Sequence, residues 1–108
     1  MILGVDPGLS GAYCLLADDG WLEADDLPTY GKALNAYEFS DIVSAQKIDV
    51  AVVERVSVMP NQGIVSSGRF MRCYGTILGV IGAHKIPVRH PTPARWKSDL
   101  SLTPPASG

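Results

Sequence analysis

The spacing of apolar positions changes along the chain, and each change marks an element. Ile2-Leu3-Gly4-Val5 is a short apolar run, the pattern of a strand buried on both faces. Asp6 stands at its end, and Pro7 and Gly8 break it. Ala12-Tyr13-Cys14-Leu15-Leu16-Ala17 predicts a second strand, so 7–11 is a hairpin loop beside Asp6. Asp18-Asp19-Gly20 is a turn signal, and Gly20-Trp21-Leu22-Glu23-Ala24 predicts a third antiparallel strand. A loop over 27–32 follows, with Pro28 and Gly31. Over 33–47, Leu34, Tyr37, Ile42 and Val43 recur among polar residues, which predicts an amphipathic helix. The β-branched run 48–53 predicts a strand with Glu54 at its end. Reached through a helix, it runs parallel to the first strand.

A loop over 55–67 carries Met59, Pro60, Asn61, Gln62 and Gly63. A second helix is predicted over 67–85, capped by Ser66 or Ser67. Phe70, Tyr74, Ile77, Leu78 and Ile81 supply its apolar surface. Gly75, Gly79 and Gly82 fall on one face, which predicts close approach by the sheet or by another helix. The run 86–90 predicts a last strand, and Thr92 caps a short helix through Ala94-Arg95-Trp96-Lys97. The order is βββαβαβα, an α/β fold, with 99–108 a flexible tail.

One hundred and eight residues make one small domain. No apolar run reaches membrane-spanning length, and the start has no signal-peptide pattern, so no membrane role is expected. Cys14 and Cys73 lack metal-ligand spacing and suit the reduced core thiols of a cytoplasmic protein. Charge divides the chain. Up to Val58 there are ten acidic and three basic residues; from Met59 onward there are six basic residues and one acidic residue, Asp99. The basic half points to an anionic partner, although solvated surface charge gives the same split.

The parallel pairing brings Asp6 and Glu54 together at the carboxyl ends of neighbouring strands, where open α/β sheets place ligands. Two adjacent carboxylates repel, and a hard divalent cation, Mg²⁺ or Mn²⁺, relieves that. Two plainer roles stay open at this point: Asp6 capping its own turn, and Glu54 in a salt bridge to Arg55 or another arginine. Arg69 and Arg72, in the first turns of the second helix, suit phosphate contacts.

Gly4-Val5-Asp6-Pro7-Gly8-Leu9-Ser10-Gly11 resembles the opening motif of RuvC-like Holliday junction resolvases, in the ribonuclease H-like superfamily. Val52-Val53-Glu54 is similar to their second acidic strand. Met59-Pro60-Asn61-Gln62-Gly63, Gly68-Arg69-Phe70, the glycine-rich helix and Pro91-Thr92-Pro93-Ala94-Arg95-Trp96-Lys97 resemble the phage and prophage branch. The resemblance implies a mixed five-stranded sheet of order 3-2-1-4-5 flanked by helices, in a domain over 1–98. It implies a metal-dependent, structure-selective DNA endonuclease that cuts four-way junctions as a homodimer. Asp6 and Glu54 would be its catalytic metal ligands, with Mg²⁺ or Mn²⁺ as cofactor. Gln62, Ser66, Arg69, Arg72 and Lys97 would contact the DNA.

The family also carries one or two acidic residues on a helix after the Trp-Lys segment. Asp99 does not match that position, so the domain reads as incomplete at its carboxyl end, with weak or absent cleavage expected. Two other classes fit the opening strands: an actin-like or sugar-kinase-like ATP-binding fragment, and a non-catalytic remnant.

Overall fold

Alternating burial along the first two strands builds the sheet. The computed structural model describes residues 1–7, 11–54 and 64–90, with side chains in the last segment from Gly68 onward. Strand β1 (Ile2–Asp6) lies between β2 (Ala12–Leu16), antiparallel, and β6 (Val50–Val53), parallel. Strand β3 (Leu22–Asp26) pairs antiparallel with β2, and β7 (Val88–Arg89) pairs parallel with β6. The five-stranded sheet therefore has the order β3-β2-β1-β6-β7, the 3-2-1-4-5 arrangement. Helices α1 (Ala36–Ser44) and α2 (Ile64–Ala83) make the two crossovers.

Leu3 and Val5 of β1, Tyr13 and Leu15 of β2, and Ala51 and Val53 of β6 are buried and share one face by their alternation. Phe39 and Val43 of α1 and Cys73, Ile77 and Ile81 of α2 complete that core. Their four-residue spacing is one stripe of a helix. The other sheet face exposes Ile2, Leu16 and Leu22.

Several sequence expectations need correction, among them the start of the second helix: α2 begins at Ile64, so Ser66 and Ser67 lie inside it and do not cap it. The third strand starts at Leu22, two residues later than predicted, because the turn closes farther along: Ala17 N–H donates to the Trp21 carbonyl at 2.8 Å. The predicted loop 27–32 and the start of the predicted helix hold a small hairpin, β4 (Thr29–Tyr30) and β5 (Ala33–Leu34). Its turn is Gly31-Lys32, with Gly31 at φ 62°, the positive φ that a glycine supplies at the first central position of a II′ turn. The first helix consequently begins at Ala36, where Asn35 caps it by accepting from the Glu38 N–H at 3.1 Å. That shift moves Tyr37 out to 80% exposure and puts Phe39 in the core at 0%.

Of the two partners expected for the glycine face of α2, the sheet or another helix, the structure excludes the sheet. A Cβ built at Gly75, Gly79 or Gly82 meets nothing within 4 Å, so this face does not pack on the sheet. The last predicted strand is only two residues long, and the short helix around Ala94 and the tail lie outside the described residues.

Helix α2 ends in a Schellman motif: Ile86 N–H donates to the Ile81 carbonyl and Lys85 N–H to the Gly82 carbonyl. Lys85 takes the left-handed position at φ 58°, which a glycine would fill without strain. Lys85→Gly should therefore raise unfolding stability by roughly 0.5–1 kcal/mol. The midpoint of urea unfolding measures this, and an unchanged or lowered midpoint would contradict it.

Candidate functional site

Four strands, β1, β3, β6 and β7, have their carboxyl ends at one edge of the sheet. Strands β1, β3 and β6 run the same way, since β2 is antiparallel to both β1 and β3 and β6 is parallel to β1. Their carboxyl ends carry Asp6, Asp26 and, one residue past β6, Glu54. The β1–β6 register pairs Val5 with Val53, so Asp6 and Glu54 are the next partners along the ladder. The Glu54 N–H donates to the Val5 carbonyl at 3.3 Å and continues the ladder to that point. Both residues alternate with buried neighbours and so share the face opposite the helices. Strand spacing is about 4.8 Å, which sets Asp6 and Glu54 at about that backbone separation on neighbouring strands. Asp6 is exposed and Glu54 half-buried.

Beneath Asp6 on the same face lies Gly4. A Cβ on Gly4 would sit 2.8 Å from the Cys14 Sγ, closer than such contacts allow. Gly4 thus has a packing reason within this sheet that its place in an apolar run did not reveal. Neither Cys14 nor Cys73 is in a disulfide.

The same face holds two charged residues that sequence reasoning missed. Asp26 pairs with Ala12, which pairs with Asp6, so Asp26 is two strands from Asp6, about 10 Å along the sheet. Arg89 pairs with Val52 and stands diagonally beside Glu54. The parity of the strands was the signal, but it needed the true bounds of β3 and β7. Among the described residues no three His, Cys, Asp or Glu side chains come close enough to hold a metal together. His84 is on Ser40 Oγ at 2.8 Å, and His90 is 3.4 Å from the Tyr74 hydroxyl, away from the acidic row.

Helix α2 returns against β6 on the other face, because β7 is again parallel to β6. Its first turns therefore lie at the acidic edge, and Arg69 and Arg72 are exposed there. Ser66 is in the first turn of the same helix, its side chain outside the description; Gln62 and Lys97 lie outside the described residues altogether. The structure thus brings Asp6 to Glu54 and sets Arg69 and Arg72 on the adjoining helix.

This arrangement has close structural relatives. Thermus thermophilus RuvC in complex with a Holliday junction substrate superimposes with a TM-score of 0.75, over 93% of this chain and 69% of that one, at 14% identity. A second Thermus thermophilus RuvC structure matches with a TM-score of 0.50, covering 93% and 68% at 20% identity. Fowlpox virus resolvase, in complex with Holliday junction DNA, matches with 0.56, covering 86% and 62% at 20% identity. The chain has the RuvC-type resolvase fold. No family model and no curated protein matches it. The RuvC-type sheet order is the one found here, and its first and fourth strands are the pair that carry Asp6 and Glu54. Among the described residues no helix is long and apolar enough to cross a membrane.

Proposed function

We propose that the chain is a metal-dependent endonuclease that recognises branched DNA, the four-way junction above all. The observation that carries this is the placing of Asp6 beside Glu54 at the carboxyl edge of a RuvC-type sheet, with arginines on the adjoining helix. Carboxylate oxygens on one row fit a hard divalent cation, and Asp6 and Glu54 would hold Mg²⁺ or Mn²⁺. When bound, such a cation supplies a water activated for attack on phosphorus and charge stabilisation of the leaving oxygen. Two carboxylates give few ligands, so the cation is held weakly and cleavage is slow. Arg69 and Arg72 neutralise phosphates and set the register of the DNA, with Gln62, Ser66 and Lys97 adding contacts. The open glycine face of α2 gives a second copy a place for close helix approach, which suits a homodimer on a two-fold symmetric junction.

Equilibrium binding to a labelled four-way junction and to a linear duplex of the same arms tests the reading, followed by cleavage in millimolar Mn²⁺. Junction binding should be tighter than duplex binding by at least about tenfold, a difference of 1.4 kcal/mol. Equal affinity for the two would overturn structure selectivity. Stabilisation by ATP without any DNA binding would favour the nucleotide-binding fragment instead.

A further inference from the structure

Between the β4–β5 hairpin and α2 runs a groove of about 460 Å³. Lys32 lines it from the hairpin turn, and Arg69 and Arg72 line it from the helix. Leu27 and Cys73, both buried, form an apolar part of its wall. We propose that this groove holds the sugar–phosphate backbone of one DNA strand, with Lys32 as a phosphate contact alongside Arg69 and Arg72. The inference rests on the endonuclease reading of the acidic edge and names where the strand goes beside it.

The charge argument comes first. Among the described residues no Asp or Glu lines the groove, although carboxylates outnumber cations in the first half of the chain. The Met1 ammonium pairs with Asp49, an ion pair that involves none of the three groove cations. Three unneutralised cations at a concave site attract an anion, and several together attract a polyanion. The helix-side carboxylates of β3, Glu23 and Asp25, are outside the lining.

Position is the second argument. Leu27 directly follows the carboxyl end of β3, and its N–H donates to the Gly11 carbonyl at 3.0 Å. Asn35 N–H closes the hairpin onto the Pro28 carbonyl at 2.9 Å. The hairpin is thereby tied to the edge that carries Asp6 and Glu54. Arg69 and Arg72 lie five and eight residues into α2, about 8 and 12 Å along its axis from its first residue. The groove opens on the helix side of that edge, and a strand that follows it meets the acidic pair by rounding the edge to the other face of the sheet. The apolar wall strengthens each contact by excluding water. The II′ turn fixed by Gly31 holds Lys32 at the rim, 37 residues from Arg69 in sequence.

Fluorescence anisotropy with a labelled four-way junction and the matching duplex, without divalent cations, tests this across a salt series. Lys32→Gln should weaken binding about five- to tenfold near 0.1 M salt and reduce the salt slope by about 0.9, the loss of one phosphate contact. Arg72→Gln should act similarly, and Lys47→Gln, far from this edge, should leave both quantities unchanged. Melting curves establish that each variant folds. Junction binding by the wild type with an unchanged Lys32→Gln slope overturns the groove and leaves the endonuclease reading standing. A Lys32 effect with equal binding of junction and duplex keeps the groove and overturns junction selectivity. Absence of binding to either DNA overturns both.

Discussion

Phe39→Ala should cost about 3–5 kcal/mol of unfolding stability, the range for removing a fully buried phenylalanine. Phe39 is 0% exposed and packs among Leu3, Val5, Val43 and Ile77 in the single core of the domain. A domain of this size has only about 5–15 kcal/mol in total, so the variant should be largely unfolded at modest urea concentrations. Tyr37→Ala, two positions earlier on the same helix, should stay within about 0.5 kcal/mol, because its ring is 80% exposed. Urea unfolding followed by circular dichroism compares the two. Equal losses, or a larger loss at Tyr37, would mean that α1 presents a different face to the sheet.

The same pair of residues shows what the sequence can and cannot carry. Periodicity announced an amphipathic helix between the third and fourth main strands, and one is there. It grouped Leu34 with Tyr37, however, because a helix counted from Ala33 brings them onto one face. The hairpin over Thr29–Leu34 takes Ala33 and Leu34 into β5 and resets the count. Strand β3 was displaced for a related reason. All five of its residues are exposed, with Leu22 at 60%, so pairing to β2 defines it and burial leaves no pattern to read.

The acidic pair was legible because it depends on little. A buried run ending in Asp6, a helix, and a second buried run ending in Glu54 fix a parallel neighbour relation whatever the loops do. The register then places the two residues side by side. The groove was not legible, since it joins Lys32 to Arg69 and Arg72 through a hairpin that propensity does not announce. The glycines of α2 were legible as a shared face, and the structure shows that nothing within the described chain fills it. Helical glycines each cost about 1 kcal/mol against alanine, and on the homodimer reading a second copy on that face offsets the cost of the four in α2.

Asp6→Asn should abolish stabilisation by Mn²⁺ while leaving the metal-free protein within about 0.5 kcal/mol of wild type. Asp6 is exposed, so its removal opens no cavity, and its nearest register partner is another acid, Glu54. Loss of one carboxylate reduces like-charge repulsion at the edge and offsets any lost local contact. With Mn²⁺ at about ten times its Kd, wild type should gain about 1.4 kcal/mol. That corresponds to several degrees in Tm for a domain of this length. Mn²⁺ should stabilise more than Mg²⁺, since Mg²⁺ gives up its waters reluctantly and demands stricter geometry. A catalytic cation supplies several kcal/mol of transition-state stabilisation, so on the endonuclease reading cleavage by the variant should fall at least about a hundredfold. Melting curves of both proteins with and without millimolar Mn²⁺ and Mg²⁺ give the result independently of any cleavage. A wild type that gains nothing from either cation would make the Asp6–Glu54 pair structural, and the chain a non-catalytic relative of the resolvases. A full Mn²⁺ response in Asp6→Asn would move the cation site elsewhere along the edge, with Glu54 and Asp26 the next carboxylates to replace.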